Sequence, residues 1–291
     1  MGNALGIGTV IVTLQTCLKL GRVSNLPTVW TNALAGAVLA GQQTAEAVLL
    51  VGIALTLFYT GGMWLNDAFD AEIDAEERKN RPIPMGEISV KTVFTLGYGM
   101  LGAGVLLAFS LGGLAGLAGI ALAIAVILYD WLHKRTVLSP VIMGTTRFFC
   151  YILAALAVAQ VTGSVIFGAL GLFAYIVGLT YAAKQEAYDR LDRAWPLAVL
   201  AFPLLYAVSQ TGGNMFALLI WAGLVVVVGI ALRLLFRRNK GDVPRAVVTM
   251  IAGICLYDGV LIAGMGQAGL ALLAVAGFAL TLFLQRVVSG T

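Results

Sequence analysis

The sequence predicts an all-α fold, a polytopic bundle of nine to ten transmembrane helices around a central apolar chamber, and three observations carry most of that prediction. The 291-residue chain is 60% hydrophobic and only 11% charged, against about 25% charged residues in a soluble domain. Apolar stretches of the roughly 17–25 residues that a bilayer core requires recur along nearly its whole length. Runs such as GLAGLAGIALAIAVILY lack the polar and apolar alternation of a membrane β-barrel. Residues 1–291 therefore read as a single integral membrane domain, and 35 glycines suit close helix contacts in lipid. The implied environment is a lipid bilayer, with no nucleic-acid partner expected.

The elements follow in order. Residues 1–22 have no basic residue ahead of their short apolar stretch, so a retained cytoplasmic interfacial segment is expected rather than a signal peptide. Lys19 and Arg22 precede the first span, 24–41. The second, 46–65, is separated from the third, 90–109, by Arg78, Lys79, Arg81 and Lys91. SLGG leads to the fourth, 113–130, and Lys134 with Arg135 to the fifth, 139–160. Lys184, Arg190 and Arg193 follow the sixth, 164–183; the seventh is 195–210. QTGGN joins it to the eighth, 214–235, and Arg237, Arg238 and Lys240 lead to the ninth, 244–264. The tenth, 267–286, ends at Arg286. Basic residues thus fall on alternate connections, which places those connections and both termini in the cytoplasm. Cys17, Cys150 and Cys255 are scattered without metal or redox spacing and read as packing residues.

Acids share this asymmetry: of fourteen, only Glu46 and Asp258 fall outside the cytoplasmic half. They concentrate where the second span ends, in NDAFDAEIDAEERKNRPIPMG within residues 66–88. If the helix continues through it, Asp67, Asp70 and Asp74 lie within about a 60° arc with Asn66 beside them. Carboxylates on one stripe repel each other and call for a cation. Their hard oxygens suit Mg²⁺, whose shell substrate phosphates commonly complete, and the adjoining RKNRP supplies bases for phosphate. Glu72, Glu76 and Glu77 read as solvated neighbours. A second cluster, YAAKQEAYDRLDRAW around residues 184–194, places Gln185, Asp189 and Asp192 on one face if helical. Two oxygen-rich helix ends at one membrane face can share a polyanion through bridging metal.

NDAFDAEID followed by RPIPMG resembles the first signature of the UbiA superfamily of intramembrane prenyltransferases, through Asn66, Asp67, Asp70, Asp74, Arg81, Pro82, Pro84 and Gly86. GRVSNLPTVWTNALAGAVLAG resembles that family's first helix, matching Arg22 and Asn25 to an Arg and an Asn near the site. LYDWLHKRTVLSPVIMG resembles its fourth-to-fifth connection, with Tyr129 ahead of Lys134 and Arg135. The surroundings of LYDWLHKR, GTTRFFCYILAAL and CLYDG resemble an EboC-like branch. The resemblance implies an enzyme that binds an isoprenyl diphosphate through Mg²⁺ and transfers the prenyl chain to a lipophilic, aromatic acceptor. It implies metal ligands at Asn66, Asp67, Asp70, Asp74, Asp189 and Asp192. Diphosphate contacts are expected from Arg22, Asn25, Arg81, Lys134 and Arg147, and a catalytic set of Asp67, Asp70, Asp189 and Tyr129.

Other polar residues within the spans leave alternatives open. Arg147 either forms a buried pair with Asp130 or touches substrate. Tyr129 and Tyr151 either pack or face the allylic cation with their rings. His133 is expected to be solvated or ion-paired, Asn32 either to bond across helices or to touch substrate, and Asp258 either to pair with a helix-terminal group or to mark a separate polar pathway. A transporter, a non-catalytic prenyl-lipid binding protein and, through the two LYD triplets at Asp130 and Asp258, an intramembrane aspartyl protease are the competing readings.

Overall fold

The computed structural model describes residues 13–41, 44–184 and 194–288, and among them every regular element is helical. A short helix, α1 (Leu14–Leu20), and a single 3₁₀ turn (Val23–Asn25) lead into α2 (Leu26–Leu39). Then come α3 (Ala45–Phe69), α4 (Ala71–Glu77), α5 (Val90–Ser110), α6 (Gly113–Leu132), α7 (Ser139–Val158) and α8 (Gly163–Lys184). A 3₁₀ segment (Trp195–Leu200) continues into α9 (Ala201–Ser209), followed by α10 (Met215–Arg237), α11 (Asp242–Gly264) and α12 (Ala268–Leu284).

All ten expected spans are helical over most of their length, and seven of the helices are long and apolar enough to cross a membrane. Three are shorter, for local reasons. Helix α2 has 14 residues, about 21 Å at 1.5 Å per residue, because Pro27 opens it and a 3₁₀ turn precedes it. Pro196 and Pro203 sit in the expected seventh span, which is part 3₁₀ and part α, as expected where ring nitrogens cannot donate to the helix ladder. Helix α12 stops at 17 residues.

Chain neighbours pack in sequence, α3 on α5, α5 on α6, α6 on α7, α7 on α8, α10 on α11 and α11 on α12, while α2 touches α3, α7, α11 and α12 and so joins the two ends of the ring. Close approach of backbones makes this possible. A Cβ on Gly36 of α2 would sit 2.9 Å from the Tyr151 carbonyl oxygen of α7, so only glycine admits that contact. Buried side chains form two large apolar clusters. One gathers Leu55, Phe58, Leu101, Leu122 and Leu153 from α3, α5, α6 and α7. The other gathers Leu172, Tyr175, Leu224, Ile254 and Tyr257 from α8, α10 and α11. Large apolar side chains on the outside, such as Leu106, Leu114, Leu219 and Phe283, are exposed, which suits a lipid-facing perimeter. The chain is an integral membrane protein.

Candidate functional site

The acidic stretch departs from a continuous helix. α3 ends at Asp70, whose backbone leaves helical geometry (φ −88°, ψ 0°), and α4 starts again at Ala71. The break does not scatter the acids: Asn66, Asp67, Asp70 and Asp74 are all buried, whereas Glu72, Glu76 and Glu77 are exposed. The next turn is closed by backbone bonds from Met85 to Arg81, Gly86 to Ile83 and Glu87 to Pro82. Pro82 and Pro84 lack an N–H, so these later residues supply the donors, and Gly86 takes the left-handed backbone (φ +74°) that the turn requires. Thr16 Oγ1 donates to Glu87 Oε2 at 2.7 Å, tying the turn to α1.

That turn delivers Arg81, whose Nη1 lies 2.7 Å from Asp67 Oδ1 and 3.0 Å from Asp74 Oδ2. Arg22 arrives from the other side, its Nη2 3.1 Å from Asp67 Oδ1 and 3.3 Å from Asn66 Oδ1. Its own backbone is left-handed (φ 41°), a conformation costing a non-glycine residue about 1–2 kcal/mol. Asp70 Oδ2 meets His133 Nε2 at 3.2 Å and Lys134 Nζ at 3.1 Å. Burial by itself would raise the Asp70 carboxyl, but the His133 and Lys134 hydrogen bonds and charges outweigh it and hold the group below the usual carboxylate range. Burial pushes Asp74 up, with Arg81 opposing. Positive charge that the acidic stripe demands is thus present in the protein as Arg22, Arg81 and Lys134, with the His133 imidazole beside them.

The structure decides among alternatives that the sequence left open. Asp130 and Arg147 do not pair: Asp130 Oδ1 accepts from Asn66 Nδ2 at 3.1 Å, while Arg147 Nη1 donates to Asn32 Oδ1 at 2.8 Å. Their helix positions aim them at different neighbours. Tyr151 does not face the chamber, because its hydroxyl donates to Asp258 Oδ1 at 2.6 Å in the bundle interior. Asp258 accepts also from Asn32, so Asp130 and Asp258 have separate partners and form no protease-like dyad. His133, expected to be solvated or ion-paired, is part-buried with Nε2 against Asp70 Oδ2. Asn25 Oδ1 accepts from Gln285 Nε2 at 2.8 Å, a contact with α12's end that no local spacing announces. Gln185, Asp189 and Asp192 lie outside the described residues.

The cluster opens on a chamber of ≈ 930 Å³ counting its open mouth, lined at one end by Arg22, Asn25, Tyr129 and Asp130 and walled by apolar residues including Val29, Leu55, Phe58, Leu122 and Ile254. It lies between the two apolar clusters. Tyr129 stacks on His133 with ring centroids 5.2 Å apart. Tyr59 also lines the chamber; its hydroxyl donates to the Arg22 carbonyl at 3.3 Å and the Arg147 guanidinium lies 5.6 Å from its ring centroid. Asp130 and Tyr59 are site residues that sequence reasoning did not assign. The position of Asp130 three residues before His133 on one helix end was the available signal for the first; for Tyr59 there was none.

The donor set suits a hard divalent cation. Asp74 Oδ1 and Asp130 Oδ2 are buried oxygens with no hydrogen-bond partner among the described residues, an arrangement that carboxylates tolerate poorly without a ligand. Among those residues no three acids, histidines or cysteines stand together as a ready metal cage, because Arg22, Arg81 and Lys134 sit between the carboxylates.

Comparison with known proteins places this geometry. Residues 28–250 match the UbiA prenyltransferase family. Over 121 residues the chain is 34% identical to a digeranylgeranylglyceryl phosphate synthase from Metallosphaera sedula; the match covers 41% of this chain and 43% of that protein, so the similarity spans less than half the length of that relative. In fold it is similar to the apo structure of a UbiA homolog from Aeropyrum pernix K1 (TM-score 0.64, 17% identity, covering 84% of this chain and 98% of that one). It is similar also to a UbiA homolog from Archaeoglobus fulgidus bound to GPP and Mg²⁺ (TM-score 0.51, 14% identity, 91% and 99% covered).

Proposed function

The chain belongs to the UbiA prenyltransferase family, and from that premise we propose that it is a Mg²⁺-dependent intramembrane prenyltransferase, moving an isoprenyl group from a prenyl diphosphate to a lipophilic acceptor. The observation that carries this reading is the seating of buried Asp67, Asp70 and Asp74 among Arg22, Arg81 and Lys134 at the mouth of an apolar chamber. Acids alone would suit a cation and bases alone an anion; the two interleaved suit a metal diphosphate.

Asn66, Asp67, Asp70 and Asp74 would hold the metal, with Asp189 and Asp192 completing the set from the segment outside the described residues. When bound, Mg²⁺ supplies positive charge to the departing diphosphate. The chain's own part is then definable. Arg22, Arg81 and Lys134, with Asn25 at the chamber mouth, bind the diphosphate oxygens and are complementary to charge that grows as the carbon–oxygen bond breaks. The diphosphate leaves with the bonding electrons, and the allylic cation remains in a chamber whose apolar walls keep water from capturing it. The Tyr129 and Tyr59 rings line that chamber and would stabilise the cation through their π-faces. The acceptor's nucleophilic atom closes the new bond and gives up a proton.

The acceptor reading shifts with the relatives. The name digeranylgeranylglyceryl phosphate synthase favours a prenylated glyceryl phosphate over the aromatic acceptor expected from the motif alone. The basic residues that follow α4 (Arg78, Lys79, Arg81) and α6 (Lys134, Arg135) and those at the end of α10 (Arg237, Arg238, Lys240) favour a site facing the cytoplasm. Purified protein in nanodiscs, given geranylgeranyl diphosphate, Mg²⁺ and geranylgeranylglyceryl phosphate, is expected to release diphosphate and yield a product heavier by one geranylgeranyl group. Binding of prenyl diphosphate without any transfer to a panel of glycerol and aromatic acceptors would favour the non-catalytic prenyl-lipid binding reading instead.

A further inference from the structure

Arg147, expected from the resemblance among the diphosphate contacts, belongs to a second charged constellation on the chamber wall and has no ion pair with Asp67, Asp70 or Asp74 among the described residues. Arg147 sits mid-way along α7 and lines the chamber. A guanidinium within a membrane span is costly and needs compensation. Arg22, the other arginine on that wall, is ion-paired to Asp67; Arg147 is ion-paired to no carboxylate among the described residues. Its Nη1 donates to Asn32 Oδ1 at 2.8 Å, and its Nη2 makes a long contact of 3.4 Å to Thr28 Oγ1.

Behind Asn32 stands a carboxylate. Asn32 Nδ2 donates to Asp258 Oδ2 at 2.8 Å, and the Tyr151 hydroxyl donates to Asp258 Oδ1 at 2.6 Å. Asp258 and Asn32 are both fully buried. The amide has one orientation here: its nitrogen must face the carboxylate, which only accepts, and its oxygen the guanidinium, which only donates. Asp258 therefore compensates Arg147 through a neutral spacer. The spacer holds the guanidinium on the chamber wall without a direct ion pair to the carboxylate. A guanidinium has five N–H donors, and these two side chains use only some of them. This is the design of an anion anchor.

Resting on the prenyl-transfer reading above, we propose that Arg147 binds an oxyanion on the acceptor headgroup, with Asp258 as its positioning residue acting through Asn32. The acceptor is then an amphiphile with an acidic headgroup, a phosphate monoester or a carboxylate, and the chamber carries two separate anion sites, one for the diphosphate and one for the acceptor.

The test compares binding of charged and neutral probes to the full chain in nanodiscs: geranylgeranylglyceryl phosphate against geranylgeranylglycerol, and 4-hydroxybenzoate against 4-hydroxybenzyl alcohol. Wild type is expected to prefer the charged member of one pair by about tenfold or more, and which pair identifies the headgroup. Arg147→Gln is expected to abolish that preference, and Arg147→Lys to restore part of it. Asp258→Asn, which keeps an acceptor for Tyr151 but removes the charge, is expected to weaken it. Geranylgeranyl diphosphate binding with Mg²⁺ is expected to stay within about twofold in Asp258→Asn, and in the two Arg147 variants to fall by less than binding of the charged acceptor probe. Equal affinity within both pairs in wild type, a preference that survives Arg147→Gln, or an equal loss for charged and neutral probes overturns the proposal. Failure of wild type to bind geranylgeranyl diphosphate overturns the prenyl-transfer reading instead.

Discussion

Arg81 Nη1 bridges Asp67 and Asp74, 2.7 and 3.0 Å away, and so ties the end of α3 to the helix that restarts beyond it. One guanidinium thereby serves two carboxylates seven residues apart, and the proline-stiffened turn that carries it is itself fastened to α1 through Thr16 and Glu87. Arg81→Ala leaves Asp74 without its ion-pair partner. Breaking a buried pair from one side costs about 3–5 kcal/mol. The expected outcome is a lowered melting temperature in detergent together with weakened prenyl diphosphate binding; Arg81→Lys should recover more of the first than of the second, because an ammonium lacks the planar fork.

The carboxylates themselves should behave differently from their neighbours. Asp67→Asn and Asp70→Asn keep size but remove charge, and each is expected to lower Mg²⁺-dependent diphosphate release by about 100-fold or more. Glu76→Gln, on the exposed side of α4, should leave the rate unchanged. Undiminished release in either aspartate variant would remove that residue from the metal set.

Chelation separates function from folding. Because Arg22, Arg81 and Lys134 already ion-pair with the acidic stripe, EDTA is expected to abolish turnover while leaving the melting temperature within experimental error, with activity returning on adding Mg²⁺. A melting temperature that collapses with the activity would mean that the ion pairs do not suffice to hold the cluster.

Chamber width should set donor length. Gly62 lines the chamber, and a Cβ there would lie 2.8 Å from Val126 Cγ1. Gly62→Val is therefore expected to lower kcat/KM for geranylgeranyl diphosphate by about tenfold or more while affecting geranyl diphosphate less. Steady-state kinetics with the two donors reads the ratio; an equal loss for both would place the constriction elsewhere.

The interior supplies a control remote from the chemistry. Tyr257 donates its hydroxyl to the Gly168 carbonyl at 2.9 Å, and a Cβ on Gly171 would overlap that hydroxyl. Gly171→Ala should destabilise by about 1–3 kcal/mol through overpacking, visible as a lower melting temperature with little change in turnover per folded molecule.

The sequence by itself determined the fold class, the placement of the helices and the clustering of acids and bases in the first half of the candidate site. Hydrophobic run length and charge asymmetry are local properties, and a bilayer allows few ways to satisfy a backbone, so the ten helical stretches could be read directly. Asn66, Asp67, Asp70, Asp74 and Arg81 were legible for the same reason: the chemistry is packed into one short stretch whose spacing survives the break at Asp70. Tertiary structure alone decided which groups meet across the bundle. Arg22 reaches Asp67 over 45 residues, Asn66 reaches Asp130 over 64, and Asn32 reaches Asp258 over 226. Of the two alternatives for Arg147, the pair with Asp130 is the one excluded on this point, since the two lie in adjacent helices but meet different neighbours. Helix rotation and packing, set by contacts such as Gly36 against Tyr151, determine which donors face which acceptors, and neither is written in the spacing of any one segment.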